Sequence, residues 1–292
     1  MDQFPSIAHL NGAFLPLAGV CISPLDRGFL FADGVYEVIP VYHGRLFRLA
    51  EHLQRLANSL AGIRLDAGLD RASWAGLLEE LVARNGDGDQ AIYLQITRGV
   101  PTNRDHGFPA GNTRPTIFAM ASPLKPVPAT TLRQGIAAVT LPDIRWGACH
   151  IKSIALLANV LARQQALDQG VDDAILVRDG LLIEGSASNL FLVQGDVLLT
   201  PTKDQRILPG ITRDLILELA TTNGIAYREE DISSEALGMA SEVWLTSSTK
   251  EILPVTRVNG RPVGTGVPGP CWRRLIALYQ GYKHTVCPPA TS

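Results

Sequence analysis

The sequence predicts an α+β protein in two domains: a smaller N-terminal one over residues 1–121 and a larger one over 131–292, joined by a linker at 122–130. Three observations carry that prediction. Strand-like runs follow one another across tight turns rather than across helices, which favours antiparallel sheets over a wound parallel one. Helical periodicity is confined to a few segments. The stretch SPLKPVPAT holds three prolines in nine residues, the composition of a linker. A chain of 292 residues also exceeds the usual one-domain size of about 100–200 residues.

The first domain opens with strand-like residues 7–18. VYEVIPVYHGRLF then reads as two short β runs around a His43-Gly44 turn. In LAEHLQRLANSLAGI, Leu49, Leu53, Leu56 and Leu60 fall at helical spacing, with Gly62 as the stop. A second helix covers about 71–84. QAIYLQITRG and RPTIFAMAS are strands enclosing a long polar loop, 98–114. Beyond the linker come a strand, a helix following Lys152, and DDAILVRDGLLIEG, whose Asp179-Gly180 marks a hairpin. NLFLVQGDVLLTP supplies two strands around Gly195-Asp196. A helix starts after PGITRD and runs to Asn223-Gly224. EVWLTSS is a strand, VNGRPV a turn with strand flanks, and WRRLIALYQGY a final helix.

Bulk properties exclude several function classes. Charged residues are 18% and hydrophobic ones 46%, a globular balance. The net charge of −2 gives no global case for nucleic acid or an anionic membrane. The start MDQFPSIAHL lacks the basic-then-apolar order of a signal peptide, and no run reaches the roughly 18 apolar residues of a membrane span. Cys21, Cys149, Cys271 and Cys287 are scattered, without a Cys-x-x-Cys pair. They predict free thiols in a reducing cytoplasm.

Four patches carry chemistry. In CHIKSIALLANVL, Lys152 stands where an apolar helical pattern begins. A lysine stem there can simply lie along apolar surface, or the amine can be desolvated enough to act as nucleophile or base. Glu184 ends an apolar strand and is followed by the small, polar Gly-Ser-Ala-Ser-Asn. ILPGITRD is a turn feeding a helix N-terminus, either an anion site or a plain cap by Thr212. TSST, residues 246–249, closes the strand EVWL with hydroxyls. A lysine, a carboxylate and a set of anion donors are what pyridoxal 5′-phosphate requires.

Taken together, IKS before an apolar run, EG-S-x-SN, L-x-GITRD and the T-S-x-T strand end resemble the class IV aminotransferases, over about residues 7–283. The resemblance implies that family's two-domain fold, with a barrel-like sheet in the larger domain. It implies that Lys152 is the Schiff-base lysine, carried by the C-terminal domain, and that Glu184 faces the pyridine nitrogen. It further implies that Arg55, Ile211, Thr212, Ser247 and Ser248 bind the phosphate, with Arg145 supporting Glu184 from behind.

On the substrate side, DRGFLFADGVYEV and TRGVPTNRDHGFP look closest to the D-amino-acid-specific members. Arg104 and His106 are two apart, so an extended loop turns both to one face. With Tyr36 they resemble a trap for the substrate α-carboxylate. The implied reaction moves an amino group from a D-amino acid such as D-alanine to pyruvate or 2-oxoglutarate, in ping-pong order. The implied assembly is a homodimer, with loop 98–114 reaching the neighbouring site. Two departures bear on the pocket: Pro40 stands where D-specific members carry lysine, and Ala187 where a third serine is familiar. The alternatives are a branched-chain L-amino-acid aminotransferase and an aminodeoxychorismate lyase.

Overall fold

The computed structural model describes residues 7–109 and 113–289, and these divide into two compact units. Three residues of the expected 98–114 loop, Ala110, Gly111 and Asn112, lie outside the described residues.

The first unit runs β1 (Ile7–Leu10), β2 (Ala13–Pro16), α1 (Arg27–Phe31), β3 (Gly34–Tyr42), β4 (Arg45–Leu46), α2 (Leu49–Gly62), α3 (Arg71–Arg84), β5 (Gln90–Thr97) and β6 (Thr116–Pro123). Its six strands form an antiparallel sheet in the order β2-β1-β6-β5-β3-β4. Residues 7–18, expected as one strand-like stretch, instead form a hairpin. Asn11 and Gly12 both take positive φ, the requirement of a tight hairpin turn.

Strand alternation gives the sheet two different faces. Val35, Ile39, Val41, Ile92, Leu94 and Ile96 pack into a core with apolar residues of α2 and α3. Tyr36, Val38 and Pro40 of β3 point the other way, next to Tyr93 and Gln95 of β5. Proline is tolerated at position 40 because its carbonyl accepts from Phe47 N, on the side away from β5. Its missing N–H would have pointed the same way, so the β3–β5 ladder loses no bond.

The second unit contains α4 (Ala129–Gln134), β7 (Ile136–Pro142), α5 (Leu157–Asp168), β8 (Asp173–Arg178), β9 (Leu181–Gly185), β10 (Asn189–Gln194) and β11 (Val197–Thr200). It continues with α6 (Ile211–Thr222), β12 (Tyr227–Glu229), β13 (Ile232–Ser233), β14 (Glu242–Ser247), β15 (Glu251–Val258), β16 (Arg261–Pro262) and α7 (Pro270–Val286). The strand order is β12-β11-β10-β14-β15-β7-β8-β9-β13, with β16 beside β15.

This sheet is mixed rather than purely antiparallel. β7 lies parallel to both β8 and β15, and β11 lies parallel to β12. The β7–β8 connection carries α5, which gives it the length a parallel crossover needs. Helix α5, whose apolar pattern begins beside Lys152, is covered on one side only in the single chain. Only its alanine side, Ala162 and Ala166, packs against Leu141, Ala174 and Leu176. Leu157, Val160 and Leu161 are 72%, 59% and 52% exposed in the single chain.

The unit boundaries differ from a single cut at the linker. Residues 151–155 cluster with the first unit, as do the described residues 286–289. The reason is backbone bonding that a linear reading does not see. Tyr36 N donates to Lys152 O (2.9 Å), Ile154 N to Gly34 O (3.1 Å) and Lys152 N to Ser59 Oγ (3.1 Å). The lysine therefore belongs with the sheet of the first unit.

Candidate active site

In the first unit, the segment carrying Lys152 bridges to Val35 through Ser153, which sets its register beside β3. The ammonium of Lys152 lies 4.1 Å from the ring centroid of Tyr36, a favourable cation–π placement. Tyr36 in turn sits 5.7 Å from Tyr93, whose hydroxyl donates to Gln95 Oε1 at 2.7 Å. Burial, helped by Tyr36, pushes the Tyr93 phenol up to about 12, so it stays a donor.

Arg55 lies on the helix-covered side, where it meets a residue the sequence did not single out. It donates from Nε to Glu37 Oε1 (2.8 Å) and from Nη2 to Glu37 Oε2 (2.7 Å). His52 Nδ1 is 2.8 Å from the same Oε2. Burial alone would raise the Glu37 carboxyl, but the Arg55 guanidinium holds it far below the ordinary carboxylate range. Burial lowers the His52 pKa, against the pull of Glu37. Glu37 was legible as a charge on the core face of an apolar strand, between Val35 and Ile39. Such a charge needs a buried partner.

In the second unit, Glu184 is 5% exposed and accepts from three donors. Arg145 Nη1 meets Oε1, while Asn189 Nδ2 and Leu208 N each donate to Oε2 at 3.1 Å. Burial pushes its carboxyl above the ordinary range, opposed by the Arg145 charge and these bonds. Every bonded neighbour is a donor, so the set suits a carboxylate. Arg145 is itself anchored by Asp143, through Nε (2.8 Å) and Nη2 (2.9 Å). Burial would lower its pKa, but Asp143 and Glu184 raise it.

Asn189, unassigned from the sequence, ties this carboxylate to the start of α6. Its Nδ2 donates to Leu208 O (2.8 Å), and a Cβ at Gly210 would collide with its Oδ1. Gly210 is the N-cap and offers no side-chain cap, so the first-turn amides of α6 face outward without one. Ile211 and Thr212 are buried there. Across the β10–β14 pair, Asn189 is opposite Thr246, next to Ser247 and Ser248. Ser247 Oγ accepts from Lys250 N at 3.3 Å.

Arg104 and His106 lie in the first unit and share a partner. The Arg104 guanidinium is 4.8 Å from the Phe31 ring centroid and the His106 ring 5.0 Å from it. Both residues are exposed, and they are set against Phe31 while Tyr36 is set against Lys152.

The family described as "Amino-transferase class IV" matches residues 34–258, which is most of the chain and contains every residue named above for the cofactor. The chain is a class IV aminotransferase. Among its relatives, the D-alanine aminotransferase of Bacillus licheniformis is 41% identical over 270 residues, covering 92% of this chain and 94% of that protein. The D-alanine aminotransferase of Listeria innocua is 39% identical and covers 86% of each chain. Among solved structures, the branched-chain amino acid aminotransferase of Escherichia coli superposes with a TM-score of 0.90 at 28% identity, covering 95% of this chain and 94% of that one. A second branched-chain amino acid aminotransferase, solved as a complex with N-(5′-phosphopyridoxyl)-L-glutamate, gives 0.89 at 27% identity, covering 98% and 97%.

Pyridoxal phosphate is the cofactor of this family, and the aminotransferase's second unit fits it on its own geometry. Thr246 Oγ1 and Ser188 Oγ are buried with no hydrogen-bond partner among the described residues. Both lie beside the Glu184–Asn189 group, with the uncapped start of α6 close by. Orphaned hydroxyls around a buried carboxylate and a bare helix N-terminus are the donor set for a phosphorylated pyridine. Among the described residues no helix is long and apolar enough to cross a membrane, and none of the four cysteines is in a disulfide.

Proposed function

We propose that this aminotransferase moves the amino group of a D-amino acid, D-alanine being the type substrate, to a 2-oxo acid such as pyruvate or 2-oxoglutarate. The 37–41% identity to several D-alanine aminotransferases over most of the chain carries the reading, against 27–28% for the branched-chain enzymes it superposes on. Bound pyridoxal phosphate supplies the carbonyl that captures the substrate amine and the ring that draws electrons from its Cα. Lys152 Nζ would hold the cofactor and, once displaced by the substrate amine, would act as the base that carries the substrate Cα proton. Glu184, kept in place by Arg145 and Asn189, holds a proton on the pyridine nitrogen by its charge.

Arg55, aligned by Glu37, the first-turn amides at Ile211 and Thr212, and the hydroxyls of Ser247 and Ser248 bind the phosphate. Arg104, His106 and Tyr36 bind the substrate α-carboxylate. The working form is a cytoplasmic homodimer in which the 98–114 loop serves the neighbouring site. The exposure of Arg104 and His106, and of the apolar side of α5, supports that assembly. Pro40 shares a sheet face with Tyr36 and Val38, so it bears on the substrate side chain.

Purified enzyme loaded with the cofactor should convert D-alanine and 2-oxoglutarate to pyruvate and D-glutamate. Turnover of L-leucine but not D-alanine would replace this reading with the branched-chain one. Pyruvate released from aminodeoxychorismate without an amino acceptor would replace it with the lyase.

A further inference from the structure

We propose that Arg27 is a positioning residue for recognition of the substrate carboxylate, fixing from below the loop that presents Arg104 and His106. The inference deepens the reading of those two residues as a carboxylate trap and rests on it. Arg27 opens α1 and is buried, with its side chain 4% exposed. Its Nη1 donates to Asp105 O and to Gly107 O (3.1 Å), and its Nη2 to His106 O (3.2 Å). Three consecutive carbonyls of an exposed loop are thus gripped by one guanidinium. Only the planar fork of arginine spans such a set; the single nitrogen of a lysine cannot.

The grip is itself anchored. Arg27 Nε donates to Asp33 Oδ2 (2.7 Å). Asp33 also takes a two-pronged contact from Arg98, through Nε (2.8 Å) and Nη2 (3.0 Å). Arg98 stands at the loop's start and donates to Ile63 O and Arg64 O at the end of α2. Gly99 completes the entry: its φ is +85°, its carbonyl accepts from Arg27 N, and a Cβ there would collide with Arg114 O. Phe31, one turn along α1 from Arg27, meets that guanidinium at 4.9 Å. The same ring meets Arg104 and His106. Backbone and side chains of the trap are therefore set by one short helix.

The test uses the loaded enzyme and D-alanine kinetics. Arg27→Lys keeps the charge but not the fork, and should raise KM for D-alanine about tenfold while kcat stays within about threefold. If the effect runs through the trap, Arg27→Lys should add little to KM in an Arg104→Ala background. Trypsin should also cut after Arg104 faster in Arg27→Lys than in the parent, by more than the accompanying loss of thermal stability accounts for. An unchanged KM, or the same fold-increase in both backgrounds, overturns the proposal. If Arg27→Lys does not fold, Asp33→Asn, which weakens the same anchor, is judged by the same two criteria. An Arg104→Ala enzyme with normal KM would instead overturn the trap reading itself.

Discussion

Replacing Glu184 with glutamine separates its charge from its shape, and the structure sets the expected size of the effect. The carboxylate satisfies three donors, one on Oε1 and two on Oε2. A glutamine has one acceptor oxygen. If that oxygen takes the place of Oε2, the new NH₂ confronts Arg145 Nη1; if it takes the place of Oε1, the NH₂ confronts Asn189 and Leu208. Either way a buried donor is left without an acceptor, at a cost of about 1–3 kcal/mol. For a chain of this size that lowers Tm by roughly 2–12 °C. Asp143 still holds Arg145, so the fold survives.

The catalytic loss has a different origin, because a neutral amide no longer favours a protonated pyridine nitrogen. Each pKa unit removed from that nitrogen is worth about 1.4 kcal/mol, or tenfold in rate. Single-turnover kinetics with D-alanine, followed by the absorbance of the bound cofactor, should therefore slow by about tenfold or more. Cofactor retention should be little changed. A Glu184→Gln enzyme with the parental single-turnover rate would refute the argument, whatever its Tm.

Lys152→Ala should fold, as the lysine's local backbone bonds remain, yet lose nearly all transamination; near-normal turnover removes it from the mechanism. Mixing these chains with Arg104→Ala chains should restore activity, since a loop acting across a dimer leaves one intact site per mixed pair. Free subunit exchange without recovery would mean that the loop serves its own chain's site or is not a trap. Glu37→Gln leaves the Arg55 charge buried without its carboxylate, a loss of about 3–5 kcal/mol that should lower Tm by roughly 6 °C or more. Because the Glu37 pKa is depressed in the folded protein, its contribution is full above the unfolded value and fades as pH falls. The Tm gap between parent and variant should narrow below about pH 4.3. A gap constant down to pH 3 would mean the ion pair is not its source.

Much of the fold was legible in the sequence because it depends on local chemistry. The leucine spacing of α2 and the Asp179-Gly180 and Asn259-Gly260 turns stand where residue pattern placed them. Helix α3 covers its expected residues, while α6 begins at Ile211, inside the PGITRD turn after which it was expected. The class IV family was readable from the motifs around Lys152, Glu184, Ile211 and Ser247, because each motif is a short run of neighbouring residues. The first hairpin is legible too, since Asn11-Gly12 is a strong turn signal within 7–18.

Other features were decided only when distant segments met. Residues 151–155 carry an apolar helical pattern, yet they bond along β3 because Gly34, Tyr36 and Ser59 offer backbone and hydroxyl partners there. Glu37 and Arg55 are eighteen positions apart and become an ion pair only when α2 packs on the sheet. Asp33 and Arg98, sixty-five positions apart, meet because β3 and β5 pair from Gly34 and Thr97 onward. Arg27 reaches the carbonyls of residues 105–107 for the same reason. A side chain's own sequence neighbours fix its secondary structure and its chemical type. Which charge it faces is set by strand pairing and helix packing, because burial leaves each charge only the partners those contacts bring within hydrogen-bonding distance.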